Sequence, residues 1–117
     1  MKPGTIIVEG NSSEVTVTGY GELDLSNAGE LGRALRDASE TTESLAVDIR
    51  PATFIDTAVL EYIARAAATM LNRGRRLRVL TQKNSHPLYV LKTAGFQELV
   101  DIVIDDTVVK DGAGYAG

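Results

Sequence analysis

Phe54-Ile55-Asp56-Thr57-Ala58-Val59-Leu60 decides how this chain folds. An apolar approach ends in an acid and a hydroxyl, and an amphipathic pattern starts at once. Val59, Ile63, Ala67, Met70 and Leu71 recur at helical spacing, with Glu61, Arg65, Thr69 and Asn72 on the other side. The spacing predicts a helix over 57–73, stopped by Gly74, with Glu61 and Arg65 as an i,i+4 ion pair. Asp56 and Thr57 then stand at its N-terminus, where backbone N–H groups are unpaired and the dipole is positive, a good place for a phosphate. Two readings fit. Asp56 is simply an N-cap and Thr57 a first-turn residue, or Thr57 is a hydroxyl that gains and loses a phosphate, a switch rather than a catalyst.

Upstream, Thr5 to Glu9 reads as a strand, Gly10-Asn11-Ser12-Ser13 as a turn, and Glu14 to Gly19 as a half-buried strand alternating Val with Thr. Gly19-Tyr20-Gly21-Glu22-Leu23-Asp24 reads as an exit from the sheet. A helix is expected over 27–38, with Asn27 and Glu30 in a capping pattern and Gly29 and Gly32 weakening it. Leu45 to Ile49 is a third, central strand, ended by Arg50-Pro51-Ala52-Thr53. Downstream, Leu77 to Leu80 is a fourth strand, and Ser85-His86-Pro87 opens a helix that stops near Gly95. Leu99 to Ile104 is a last strand or short helix. The pattern predicts an α/β fold: one mixed sheet of four to five strands packed with about three to four helices. Residues 1–110 form the domain and 111–117 a glycine-rich tail. In such sheets sites lie beyond the carboxyl ends of the strands, which is where Asp48 and Asp56-Thr57 fall and where Asp24 can reach.

The composition narrows the function. One domain fits 117 residues, and with 44% apolar residues, no Trp, two Phe and four Tyr, its core is mainly aliphatic. A net charge of −4 argues against a nucleic-acid binder. The basic run Arg73-Gly74-Arg75-Arg76-Leu77-Arg78 reads as a helix C-terminus running into a strand. The absence of Cys rules out disulfides and thiol chemistry. No signal peptide or membrane-spanning run is visible, so the expected setting is the cytoplasm, without membrane insertion. Asp24, Asp48 and Asp56 could in principle make an acidic pocket, but the plainer reading is a turn and a strand end, and no metal or other cofactor is expected. His86, the only histidine, reads as a surface residue at a helix start, with no nucleophile motif beside it. A receiver domain has similar length and layers but needs two adjacent acids after its first strand, which Ile6-Ile7-Val8-Glu9-Gly10 lacks. Ala58 and Tyr62 flank the polar side of the central helix and are either docking residues or ordinarily exposed.

Three segments resemble the STAS family, the fold of bacterial anti-sigma factor antagonists. Gly21-Glu22-Leu23-Asp24-Leu25-Ser26-Asn27-Ala28-Gly29-Glu30-Leu31 is similar to the family's G-E-L-D-x-x-(T/N/S)-A-x-x-L. Val47-Asp48-Ile49 followed by Phe54 to Leu60 resembles its hydrophobic-D-L strand and F-(I/M)-D-S-(S/T)-G-L. Leu91-Lys92-Thr93-Ala94-Gly95-Phe96 resembles its late L-x-x-x-G-(L/F). The resemblance implies a binding protein and not an enzyme. It implies that Thr57, in the place of the family's serine, is phosphorylated by a partner that is both anti-sigma factor and serine/threonine kinase, and restored by a phosphatase. It also implies a partner-facing set of Asp24, Asp48, Asp56, Thr57, Ala58, Glu61 and Tyr62. Three departures stand beside the site: Thr57 for serine, Val59 for the usual glycine, and Glu61 one turn below Thr57. They fit two alternatives, a constitutive STAS module of an ABC transporter or signalling scaffold, and a small-ligand or nucleotide sensor.

Overall fold

The computed structural model describes residues 4–106; the expected tail over 111–117 lies outside them. A hairpin opens the chain. Thr5–Gly10 (β1) and Glu14–Leu23 (β2) pair antiparallel, Val8 opposite Val17. The Asn11 side chain accepts the N–H groups of Ser13 and Glu14 and fixes the turn. Ala28–Thr41 (α1) leads to Ser44–Asp48 (β3), then Ala52–Ile55 (β4) and Thr57–Asn72 (α2). Arg78–Thr81 (β5), His86–Thr93 (α3), a 3-10 turn over Phe96–Glu98 and Asp101–Ile104 (β6) complete the described fold.

The sheet runs β1-β2-β3-β5-β6, with β4 also paired to β2. All pairs but the first are parallel. The three crossovers all step the same way across the sheet, so right-handed connections place α1, α2 and α3 on one face. Val17, Leu45, Val47 and Val79 point into that layer and meet Leu31, Leu35, Ile63, Met70 and Leu91 in one aliphatic core. Thr18, Tyr20, Ala46 and Asp48 are buried but stand outside that core, on the other side of the strands. Burial pushes the Tyr20 phenol above its ordinary pKa, and the Glu9 and Asp48 carboxylates add to the effect.

The sheet has six strands among the described residues, one more than the four to five expected. The additional strand is β4, in the stretch that reads as a loop after β3. The reason lies in β2, which does not leave the sheet at Gly19 but continues to Leu23. Its first half pairs with β3 and its last three residues pair with β4, so β3 and β4 lie end to end beside one long strand. A register shift between Gly21 and Glu22 accommodates the change of partner. Gly21 takes φ 76° there, a conformation that other residues adopt reluctantly.

Helix ends follow the sequence signals more closely. Ser85 caps α3 by accepting the Leu88 N–H at 3.2 Å. Gly74, at φ 74°, closes α2: its N–H reaches Leu71 O while Arg75 N–H reaches Met70 O, the paired bonds of a Schellman motif. Asn27 does not cap α1 as expected. Its side chain turns back, accepting Asp24 N–H and donating to Glu22 O, while Asp24 O takes the first helical N–H at Ala28. No described helix is long and apolar enough to cross a membrane.

Candidate functional site

The site begins where β2 and β4 end together. Leu23 pairs with Ile55, and Asp56 N–H donates to Leu23 O at 3.1 Å. The acids that follow the two strands, Asp24 and Asp56, therefore leave the sheet at neighbouring points. Asp56 has extended backbone angles, and its carboxylate accepts the Ala58 N–H at 2.9 Å, an N-cap of α2. Thr57 is the first helical residue and is exposed. Its hydroxyl has no hydrogen-bond partner among the described residues. An acid thus fixes the helix start, and a free hydroxyl is presented beside it.

Asp48 takes a different place. It is 4% exposed, and Arg50 grips it through Nε at 3.0 Å, through a terminal nitrogen at 2.8 Å and through the backbone N–H at 3.1 Å. Asp105 holds the other side of the same guanidinium at 3.0 Å. Hydrogen bonding to Asp48 raises the Arg50 pKa beyond its ordinary value, so the clamp stays charged. The clamp stands over the step between β3 and β4. Asp48 lies beside Thr18, back along β2 from the Leu23–Ile55 end, and does not reach the surface at Thr57.

Asp24 sits in a tight turn in which the Ser26 hydroxyl and N–H both donate to one carboxylate oxygen. Those two bonds hold its carboxyl below the ordinary value. Leu25, beside it, is largely exposed. Ala58 and Tyr62 are half-buried and Glu61 is exposed. Glu61 bonds Arg65 at 2.7 Å, so the charge one turn below Thr57 is partly balanced. Val59, in the family's glycine position, is 0% exposed and faces the core, so it puts no bulk on the surface beside Thr57.

His86 was legible only as a surface residue, and it is exposed, but it is also tied to the site strand. Its ring stacks on Phe54 with centroids 4.8 Å apart, and its Nδ1 accepts the Ile55 N–H at 3.3 Å. That bond satisfies a backbone donor of β4 on the side away from β2, and it anchors α3 next to Asp56. The pairing spans 31 positions and carries no local signal. Among the described residues no cluster of His, Asp and Glu is placed to hold a metal ion.

The α/β layer fold and its mixed sheet define a known class of interaction domain. The family model described as "Mlab, STAS domain" matches residues 6–103, and the chain belongs to the STAS family. Domains of this family are typically interaction modules rather than enzymes. Among solved structures, an anti-sigma factor antagonist from Mycobacterium paratuberculosis is similar with a TM-score of 0.73 and 17% identity, over 86% of each chain. SpoIIAA in its unphosphorylated form gives a TM-score of 0.69 at 14% identity, over 86% of this chain and 89% of that one. The Bacillus cell fate determinant SpoIIAA in the phosphorylated form gives 0.66 at 14%, over 87% and 94%. At these identities the likeness is one of fold. No curated protein sequence matches the chain significantly.

Proposed function

We propose that this domain is an anti-sigma factor antagonist. In its unmodified form it binds an anti-sigma factor that is also a serine/threonine kinase, which frees a sigma factor, and phosphorylation of Thr57 ends the complex. The observation that supports this most is the exposed, unpartnered Thr57 hydroxyl directly after the Asp56 cap. Asp24, Asp56, Ala58, Glu61 and Tyr62 form the contact surface around it, while Asp48, buried and held by Arg50, stays off that surface. A phosphate on Thr57 adds about −1.5 to −2 charges next to the Asp56 carboxylate. An interface closed over a neutral hydroxyl then has to desolvate a hydrated dianion beside a second anion. The helix itself tolerates the change, because its N-terminus favours negative charge. The domain spans residues 1–110 and works in the cytoplasm.

Asp56 also supports a second reading, a constitutive module of an ABC transporter or scaffold. Its carboxylate already takes the Ala58 N–H, so a phosphate on Thr57 would find one helix-terminal donor occupied and a like charge beside it. Incubation with the host's anti-sigma kinases and ATP, followed by mass spectrometry, separates the two. The first reading requires a phosphate on Thr57 that is absent in Thr57→Ala. Stable capture of a transporter ATPase with no modification by any of the kinases would replace it with the second.

A further inference from the structure

A groove of about 320 Å³ opens between α1 and α2. Arg33 and Arg36 line it from α1 and Arg65 from α2, and no Asp or Glu is among its lining residues. In a chain with 16 acidic and 12 basic side chains this is a local reversal of sign. Gly32 lets the helices meet here, with the Tyr62 ring lying directly on its backbone.

The three arginines differ from the other basic cluster in what they are bonded to. Arg73 donates to Ser39 O and Thr42 O, Arg75 to Glu43 O, Arg76 to Asp101 and Arg78 to Ser44. Arg73 and Arg78 are thereby tied to helix and strand ends in part-buried bonds, while the Arg75 and Arg76 bonds are exposed. Arg33 has no carboxylate partner among the described residues and lies over the bare backbone at Gly29. Arg36 meets Asp37 at 3.5 Å and Arg65 meets Glu61 at 2.7 Å, both as exposed pairs. Exposed pairs of this kind are weak and yield to a better acceptor.

We propose that this groove binds a small polyvalent oxyanion, a molecule bearing at least two neighbouring phosphate or carboxylate groups. Guanidinium forks match such groups bidentately, and here they project from two helices packed against each other. The volume is at the lower end of small-molecule sites, which suits a compact ligand. Tyr62 is seated on Gly32, and the Arg65 guanidinium lies 5.9 Å from its ring centroid, so charge rather than stacking of a planar base recognises the ligand. The groove does not include Thr57, but it shares Tyr62 with the contact surface proposed above and adjoins it through the Arg65–Glu61 pair.

The test is a titration of the full chain with sodium pyrophosphate and, separately, sodium citrate at constant ionic strength, followed by two-dimensional amide NMR. Saturable shifts are expected along 29–36 and 62–69. Binding should weaken about tenfold in Arg33→Ala/Arg36→Ala and stay unchanged in Arg76→Ala. Arg33→Gln alone carries the comparison if the double variant melts early. Saturation by pyrophosphate only assigns a phosphate ligand and by citrate only a carboxylate; either supports the site. No saturation by either probe up to about 10 mM overturns it, as does an equal loss in Arg76→Ala, which would mark diffuse attraction to any basic surface.

Discussion

Gly32→Ala tests the α1–α2 contact on which the groove and the outer face of α2 depend. A Cβ at Gly32 would stand 2.4 Å from Tyr62 Cδ1, 2.5 Å from Cε1 and 2.8 Å from Cγ. Carbon atoms pack at about 3.5–4.0 Å, so the ring must move by about 1 Å or more. The clash includes Cγ, so rotating the far end of the side chain does not relieve it. Replacing a mid-helix glycine by alanine contributes about 1 kcal/mol of helix stability. Overpacking of this kind costs about 1–3 kcal/mol. The net expectation is a loss of about 1 kcal/mol, which lowers Tm by about 4 °C in a domain of this size. Urea denaturation of the full chain measures it. In a Tyr62→Ala background the same change should become stabilising by about 1 kcal/mol, giving a coupling of about 2 kcal/mol. Gly29→Ala is the control: its Cβ finds nothing nearer than Arg33 at 3.8 Å, so it should be neutral or slightly stabilising. If Gly32→Ala stabilises the protein equally with and without Tyr62, the seat of Tyr62 on Gly32 is wrong.

Three further outcomes follow from single side chains. Thr81 is fully buried and its hydroxyl has no partner among the described residues, so Thr81→Val should raise the unfolding free energy by about 1 kcal/mol in the same urea assay. Arg50→Met leaves the buried Asp48 carboxylate unpaired and should cost about 2–4 kcal/mol, and loss of the Phe54 and Thr57 amide resonances from their native positions should accompany it. The Asp24 carboxyl should titrate below the ordinary value of about 3.9, and Ser26→Ala should move it back toward that value. A depressed folded pKa means that the Asp24–Ser26 turn stabilises the fold above the unfolded pKa. That contribution fades as the pH falls through the folded value, and carboxyl NMR in both proteins follows it.

What the sequence showed and what it hid divide along the range of the interactions. The Ser85 cap, the Gly74 stop and the Glu61–Arg65 pair are local, and each was legible from spacing. The step from strand to helix at Asp56-Thr57 was legible for the same reason. β4 was hidden because Arg50-Pro51-Ala52-Thr53 carries loop residues, and only the distant end of β2 makes it a strand. The glycines at 19 and 21 looked like a break, whereas Gly21 serves the register shift that lets β2 change partner. Gly32 reads locally as a weak helix position, and only the distant Tyr62 ring gives it a packing role. Asp48 was placed at the correct strand end, but nothing local says that Arg50 and Asp105 would enclose it. His86 and Phe54 meet across the fold, and neither residue signals the other.

The proposed switch at Thr57 is tested most directly by preparing the protein with phosphothreonine at that position and measuring its affinity for the host's anti-sigma kinase by calorimetry. The unmodified protein should bind. The phosphorylated one should bind at least about tenfold more weakly, a difference of about 1.4 kcal/mol. Its melting temperature should be unchanged, since the helix N-terminus accepts the charge. Equal affinity of the two forms, with both correctly folded, would contradict the account and leave Thr57 as a plain surface residue.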